Sequence, residues 1–130
     1  MASFAVDNKN DIGGYYGGMK ENMKHGHGKL TDKNGDVYEG DFKDDQMHGQ
    51  GTFIAADGSM MYQGDFAENL MHGKGTYTWE NGQVYEGQYV RGEMQGKGKL
   101  TSTDGNEYFG DWKNGVPHGL GSFKYPNGLK

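Results

Sequence analysis

Histidine, glycine and acidic side chains recur in this chain at spacings that invite a chemical reading. His25, His48, His72 and His118 follow one another at intervals of 23, 24 and 46 residues, with Gln95 standing where a fifth would fall. Imidazoles are the commonest metal ligands, but each must lie within about 2 Å of one shared ion. Copies separated by two strands would stand roughly 10 Å apart, so this column cannot share a metal. His25 and His27 lie two apart on one strand face, without a third ligand beside them. Gly17-Gly18 and Gly26-x-Gly28 have the look of a phosphate loop, which needs a strand before it, a helix after it and a following lysine. No helical pattern follows either. Asp44-Asp45 fall in a turn with no apolar surroundings to raise a carboxyl pKa. The expectation is therefore no catalytic residue, no metal and no cofactor. The histidines and acids read as loop and surface residues.

What positions these residues is a repeat. Tyrosine opens it at Tyr15, Tyr38, Tyr62, Tyr85 and Tyr108, spaced 23, 24, 23 and 23 residues apart. Glycine follows two residues later, then again at offsets eleven, thirteen and twenty; these columns hold 20 of the 25 glycines. Offset four carries Met19, Phe42, Phe66, Tyr89 and Trp112, and offset fifteen carries Leu30, Phe53, Tyr77, Leu100 and Phe123. Methionine marks offset nine at Met47, Met71 and Met94, with Pro117 last.

Within a repeat the period is two. Tyr62, Gly64 and Phe66 share one face of a strand while Gln63 and Asp65 take the other. Gly73, Gly75, Tyr77 and Trp79 share a face of the next strand. Glycine at this density argues against helix. Asn34-Gly35, Asp57-Gly58, Asn81-Gly82, Asp104-Gly105 and Asn127-Gly128 are hairpin signals. A three-residue loop at Glu80-Asn81-Gly82, with Gly82 left-handed, sets Tyr77 opposite Tyr85 and Gly75 opposite Gly87. A two-residue loop would mix the faces. A six-residue loop over 67–72 is expected to set Phe66 opposite Gly73, Gly64 opposite Gly75 and Tyr62 opposite Tyr77. Three rows result: large groups, glycines, and aromatics alternating with glycines. The glycine row gives the rings a floor, which explains glycine in strand interiors where it otherwise costs stability. The run Ser59-Met60-Met61 carries one extra residue, read as a bulge. Phe4 and Val6 read as one strand of a half repeat. The expected organisation is a capping strand over 1–14, then repeats at 15–37, 38–61, 62–84, 85–107 and 108–130.

Composition bounds the function. The chain has 130 residues, 32% hydrophobic and 13% aromatic, with a net charge of −5, no cysteine and no clustered lysine or arginine. Aromatics at this level argue against disorder. The scattered basic residues exclude an electrostatic nucleic-acid binder and weigh against anionic membranes. No run approaches the 18 apolar residues of a membrane span, and residues 1–11 lack the apolar core of a signal peptide. An intracellular setting is expected, cytoplasmic or associated with cytoskeleton or cilium.

These columns resemble the MORN (membrane occupation and recognition nexus) repeat, in five copies from Tyr15 to Gly128. The resemblance implies an all-β fold: an elongated, twisted, single-layer antiparallel sheet of consecutive hairpins. Proteins with such repeats include plant phosphoinositide kinases, junctophilins, radial-spoke head proteins and cytoskeletal scaffolds of protist parasites. The repeats themselves are implied to bind and assemble rather than catalyse, with occasional lipid contact. The aromatic face is the candidate site. Its residues are Tyr15, Tyr38, Phe42, Phe53, Tyr62, Phe66, Tyr77, Trp79, Tyr85, Tyr89, Tyr108, Trp112 and Phe123. These rings can serve as packing alone, or as a groove for a helix or extended segment of a partner protein. The expected role is a non-catalytic scaffold in a larger assembly, with self-association through sheet edges. The alternative is a peripheral module on acidic phospholipids.

Overall fold

The computed structural model describes residues 3–7 and 14–126. Eleven strands form one antiparallel sheet in which spatial order follows chain order. They are β1 (Ser3–Asp7), β2 (Gly14–Lys20), β3 (Met23–Thr31), β4 (Val37–Lys43), β5 (Gln46–Ile54), β6 (Met60–Ala67), β7 (Leu70–Trp79), β8 (Val84–Val90), β9 (Glu93–Thr101), β10 (Glu107–Lys113) and β11 (Val116–Lys124). Each repeat contributes two consecutive strands, and β1 precedes them, pairing with β2. The Asn127-Gly128 hairpin signal lies outside the described residues.

The register between repeats is the one that the glycine columns demand. Tyr77 faces Tyr85, Gly75 faces Gly87 and Gly73 faces Tyr89. The turn behind it closes with Trp79 N–H bonded to Gln83 O and Gly82 N–H bonded to Trp79 O, both at 2.9 Å. Gly82 sits at φ +96°, a left-handed conformation that a side chain would oppose.

Within a repeat the structure corrects the expected loop. Tyr62 faces Tyr77 and Gly64 faces Gly75, but Phe66 faces Met71 rather than Gly73. The connection is a two-residue turn, Glu68-Asn69, with both residues at positive φ (50° and 69°). That is the backbone of a type I′ hairpin, whose twist matches that of the strands. The register shifts by two residues, and they are taken up in a bulge: Asp65 spans His72, Gly73 and Lys74, and Gly73 absorbs the bend at φ +80°. The same shift recurs in every repeat. The Asp65 carboxylate accepts the Lys74 N–H at 3.0 Å, Asp41 accepts Gln50 N–H at 3.1 Å, and the Gln88 side chain accepts Lys97 N–H at 2.8 Å. These polar residues, on the face opposite the rings, satisfy the backbone donor that each bulge strands.

The extra residue near Ser59 is corrected too. It lengthens the turn instead of bulging a strand: Ala55 N–H bonds to Met60 O at 3.1 Å, leaving residues 56–59 between them. The repeat boundary therefore flexes at the turn, and the ladder either side keeps its register.

Candidate functional site

The tyrosine that opens each repeat does not stand up from the sheet. Its ring lies down over the glycine row, and in the first four repeats its hydroxyl donates to the carbonyl three residues on. Tyr15 bonds to Gly18 O (2.7 Å), Tyr38 to Asp41 O (2.7 Å), Tyr62 to Asp65 O (2.8 Å) and Tyr85 to Gln88 O (3.0 Å). A Cβ on Gly75 would collide with the Tyr62 ring. The floor is glycine because nothing else leaves room for the ring.

A second ring closes over each of these four tyrosines, and it comes from the following repeat. Phe42 meets Tyr15 edge-on at 5.1 Å, Phe66 meets Tyr38 at 5.0 Å, Tyr89 meets Tyr62 at 5.3 Å and Trp112 meets Tyr85 at 5.1 Å. Each of these rings also packs edge-on against the tyrosine of its own repeat. Such T-shaped contacts suit the ring quadrupoles and add about 0.5–1.5 kcal/mol per pair beyond burial. The Trp112 Nε1–H donates to Gly98 O at 3.1 Å. One unbroken ladder of rings is the hydrophobic core of a sheet that has no second layer.

This placement divides the thirteen candidate residues. Tyr15, Tyr38, Phe42, Tyr62, Phe66, Tyr85, Tyr89 and Trp112 are 0–6% exposed and form the core itself. Phe53, Tyr77, Trp79 and Tyr108 are half-buried against it, and Phe123 is 55% exposed. Burial raises the phenol pKa of Tyr38 and Tyr62, with the Asp41 and Asp65 charges adding to it. Burial also pushes Tyr85 up to about 12. These are hydroxyls fixed as neutral donors, not acid–base groups. Among the described residues no group of three or more histidine, cysteine or acidic side chains could hold a metal. His72 has a structural use: its Nδ1 accepts the Arg91 N–H at 3.3 Å, tying the bulge of β7 to the turn of the next repeat.

What stays accessible is the rim of the ladder. Two depressions of about 190 and 250 Å³ meet at Met71 and Gly92. The first is lined by Met47, Phe53, Met60, Leu70 and Met71 over the buried Tyr62 and Phe66. The second is lined by Met71, Tyr77, Trp79 and Met94, with Glu93 at its wall. Tyr77 and Trp79 pack at 4.7 Å with planes tilted 50°. The methionine column at offset nine was visible in the sequence, but not its place over the rings. Leu70, Met60 and Gly92 were missed, because only the two-residue turn brings the start of β7 back over the rings. The opposite face is polar, with Lys99 3.7 Å from Glu86 and Lys97 2.7 Å from Asp111.

Consecutive hairpins in one open sheet, each completed by its neighbour, define a repeat scaffold. The MORN repeat pattern matches residues 15–37, 38–60, 62–84, 85–107 and 108–130, and the chain belongs to the MORN repeat family. Repeats of this family are generally non-catalytic. No curated protein matches the chain closely enough to count as a relative. Among solved structures, 35 chains match. One is the TCP domain of SAS-4 (dCPAP) of Drosophila melanogaster, in complex with a proline-rich motif of Ana2 (dSTIL). It has a TM-score of 0.56 and 11% identity, covering 96% of this chain and 74% of that one. That likeness is one of fold.

Proposed function

We propose that the chain is a non-catalytic scaffold that holds a segment of a partner protein in the methionine- and aromatic-lined groove centred on Met71, within a larger cytoskeletal, ciliary or multi-subunit assembly. One observation carries the reading. The ladder already consumes the rings needed for folding, yet an apolar channel of Met47, Phe53, Met60, Met71, Tyr77, Trp79 and Met94 remains beside it. Apolar channels left open on a soluble domain mark interaction sites, and methionine adapts to the shape of an apolar ligand. A polypeptide occupant is further supported by the Drosophila SAS-4 TCP domain, similar in fold and seen with a proline-rich motif bound. Self-association through a sheet edge is part of the same reading: among the described residues β1 and β11 are the outermost strands, and an edge strand can pair with a strand of another chain.

The test begins with affinity capture on the wild-type chain and identification of what binds. The purified partner is then titrated against wild type and against Met71→Glu/Met94→Glu. A loss of affinity of tenfold or more, with an unchanged unfolding curve, is the expected result. Unchanged affinity in a folded double variant refutes the groove. Sedimentation with vesicles of acidic phospholipid, weakened by salt, would support the membrane-associating alternative instead.

A further inference from the structure

The two depressions beside the ring ladder are one feature of the fold, displaced by one repeat. Met71 and Gly92 close the first as Met94 and Gly115 close the second. Their remaining walls differ in chemistry. Phe53 in the first is replaced by Tyr77 in the second, and Leu70 by Glu93. Trp79 joins the second wall at the position where the preceding repeat has Ala55. Among the described residues no charged side chain lines the first depression, and Glu93 is the one charge lining the second.

Neither Trp79 nor Glu93 serves the repeat. The position seventeen residues after the opening tyrosine holds Asp32, Ala55, Trp79, Ser102 and Tyr125. The position eight residues after it holds Met23, Gln46, Leu70, Glu93 and Val116. One column thus has a single indole and the other a single carboxylate. They belong to different repeats, and the fold brings them to the same hollow. Neither Glu93 nor Arg91, two residues before it, joins an ion pair among the described residues. Trp79 is half-buried, with its ring 4.7 Å from that of Tyr77.

Two rings and an unpaired carboxylate around an apolar hollow select a cation. A ring face attracts positive charge through its quadrupole, tryptophan most strongly. A lysine ammonium is strongly hydrated, and its three donors would meet one carboxylate among rings and thioethers. A guanidinium is more weakly hydrated, stacks flat on a ring and presents a two-pronged fork to a carboxylate. We infer that the hollow of Tyr77, Trp79, Glu93 and Met94 receives an arginine side chain of the segment held in the groove, stacked on the rings and paired with Glu93. This rests on the groove reading above and names the chemistry of its occupant. The segment sets an apolar side chain against Leu70 and Met71, and its arginine one repeat further on, about 10 Å away. The net charge of −5 draws such a basic segment in from a distance.

The experiment is a titration of the full 130-residue chain with N-acetyl-arginine amide, followed through the indole N–H resonances. The chain has two tryptophans. Trp112 is 5% exposed with its Nε1–H on Gly98 O, so its signal is the internal control. The expected result is a saturable shift of the Trp79 signal that N-acetyl-leucine amide does not produce. Glu93→Gln is expected to weaken the arginine probe tenfold or more at an unchanged unfolding midpoint. Glutamine is compatible with folding there, since Gln46 holds the same position in the second repeat. An absent shift at Trp79, an equal response to the leucine probe, or an affinity indifferent to Glu93→Gln overturns the inference. Tighter binding of the amides of N-acetyl-lysine or its trimethylated form overturns the choice of arginine. The captured partner separates this inference from the groove reading. Binding weakened by Met71→Glu/Met94→Glu but indifferent to Glu93→Gln overturns the arginine and leaves the groove. Binding indifferent to both variants, with the arginine titration as expected, overturns the groove alone.

Discussion

Tyr62 and Tyr108 open the same local pattern. Glycine follows two residues on, a ring four residues on, and a Gly-x-Gly pair stands on the next strand. Yet Tyr62 is fully buried with its hydroxyl bonded to Asp65 O at 2.8 Å, while Tyr108 is half-buried and makes no such bond among the described residues. Both have the ring of their own repeat, Phe66 at 5.1 Å and Trp112 at 5.7 Å. Tyr62 also has Tyr89 from the following repeat, whereas among the described residues the rings on Tyr108, Trp112 and Phe123, both belong to its own repeat. The comparison teaches that a repeat does not finish its own core. Its successor does, and stability in such an array is largely a sum over junctions.

The largest effect that sharpens this contrast is ring deletion. Tyr62→Ala is expected to cost about 3–5 kcal/mol, typical of removing a buried aromatic. Tyr108→Ala is expected to cost less, since Tyr108 is less buried than Tyr62. Urea unfolding of both variants measures the difference, and equal costs would mean that the following repeat adds nothing. Next comes the floor. Gly75→Ala forces a methyl into the Tyr62 ring, which neighbours on both sides hold in place. We expect a loss of about 3 kcal/mol, the upper end for overpacking. Gly121→Ala meets the Tyr108 ring in the same way, but that ring is more exposed and its hydroxyl is not tied, among the described residues, to the carbonyl three residues on. About 1 kcal/mol is expected there, at the lower end of the same range.

Smaller effects follow from the hydroxyls. Tyr62→Phe removes one buried hydrogen bond and is expected to cost about 1 kcal/mol, whereas Tyr108→Phe leaves the melting temperature unchanged. Alkaline titration supplies a pH arm. Tyr85 is held neutral by burial, its pKa raised from 10.0 to about 12. The folded state then retains a proton that the unfolded chain releases. Its stabilisation is complete below pH 10 and is lost as pH climbs towards about 12. The urea midpoint should fall across that window, and fall less in Tyr85→Phe.

Much of this fold was legible because glycine carries positional information. The offsets of Gly64, Gly75, Gly82 and Gly87 admit one register that keeps rings with rings, and the structure has it. Two features were hidden for physical reasons. The I′ turn at Glu68-Asn69 places a glutamate at φ +50°, which ordinary turn chemistry reserves for glycine, asparagine or aspartate. The turn is held from outside, by Asn69 N–H on Met47 O (3.0 Å) and Asn69 Oδ1 accepting Met47 N–H (2.9 Å). A bond between repeats cannot be read from one repeat. The candidate site was legible in composition but not in allocation. Strand alternation puts Tyr62, Phe66, Tyr77 and Trp79 on one face, and nothing in a period of two says which ring will lie beneath which. That depends on the bulge at Gly73, which displaces Met71 to a position opposite Phe66.

The central claim is that the ring of one repeat completes the core of the one before it. Tyr62 and Tyr89 lie 5.3 Å apart with planes at 89°, and they belong to different repeats. A double-mutant cycle of Tyr62→Leu and Tyr89→Leu, read by urea unfolding, measures their coupling directly. The interlocked ladder predicts a favourable coupling of about 0.5–1.5 kcal/mol. Costs that simply add, to within about 0.3 kcal/mol, would contradict it and leave each repeat as its own folding unit.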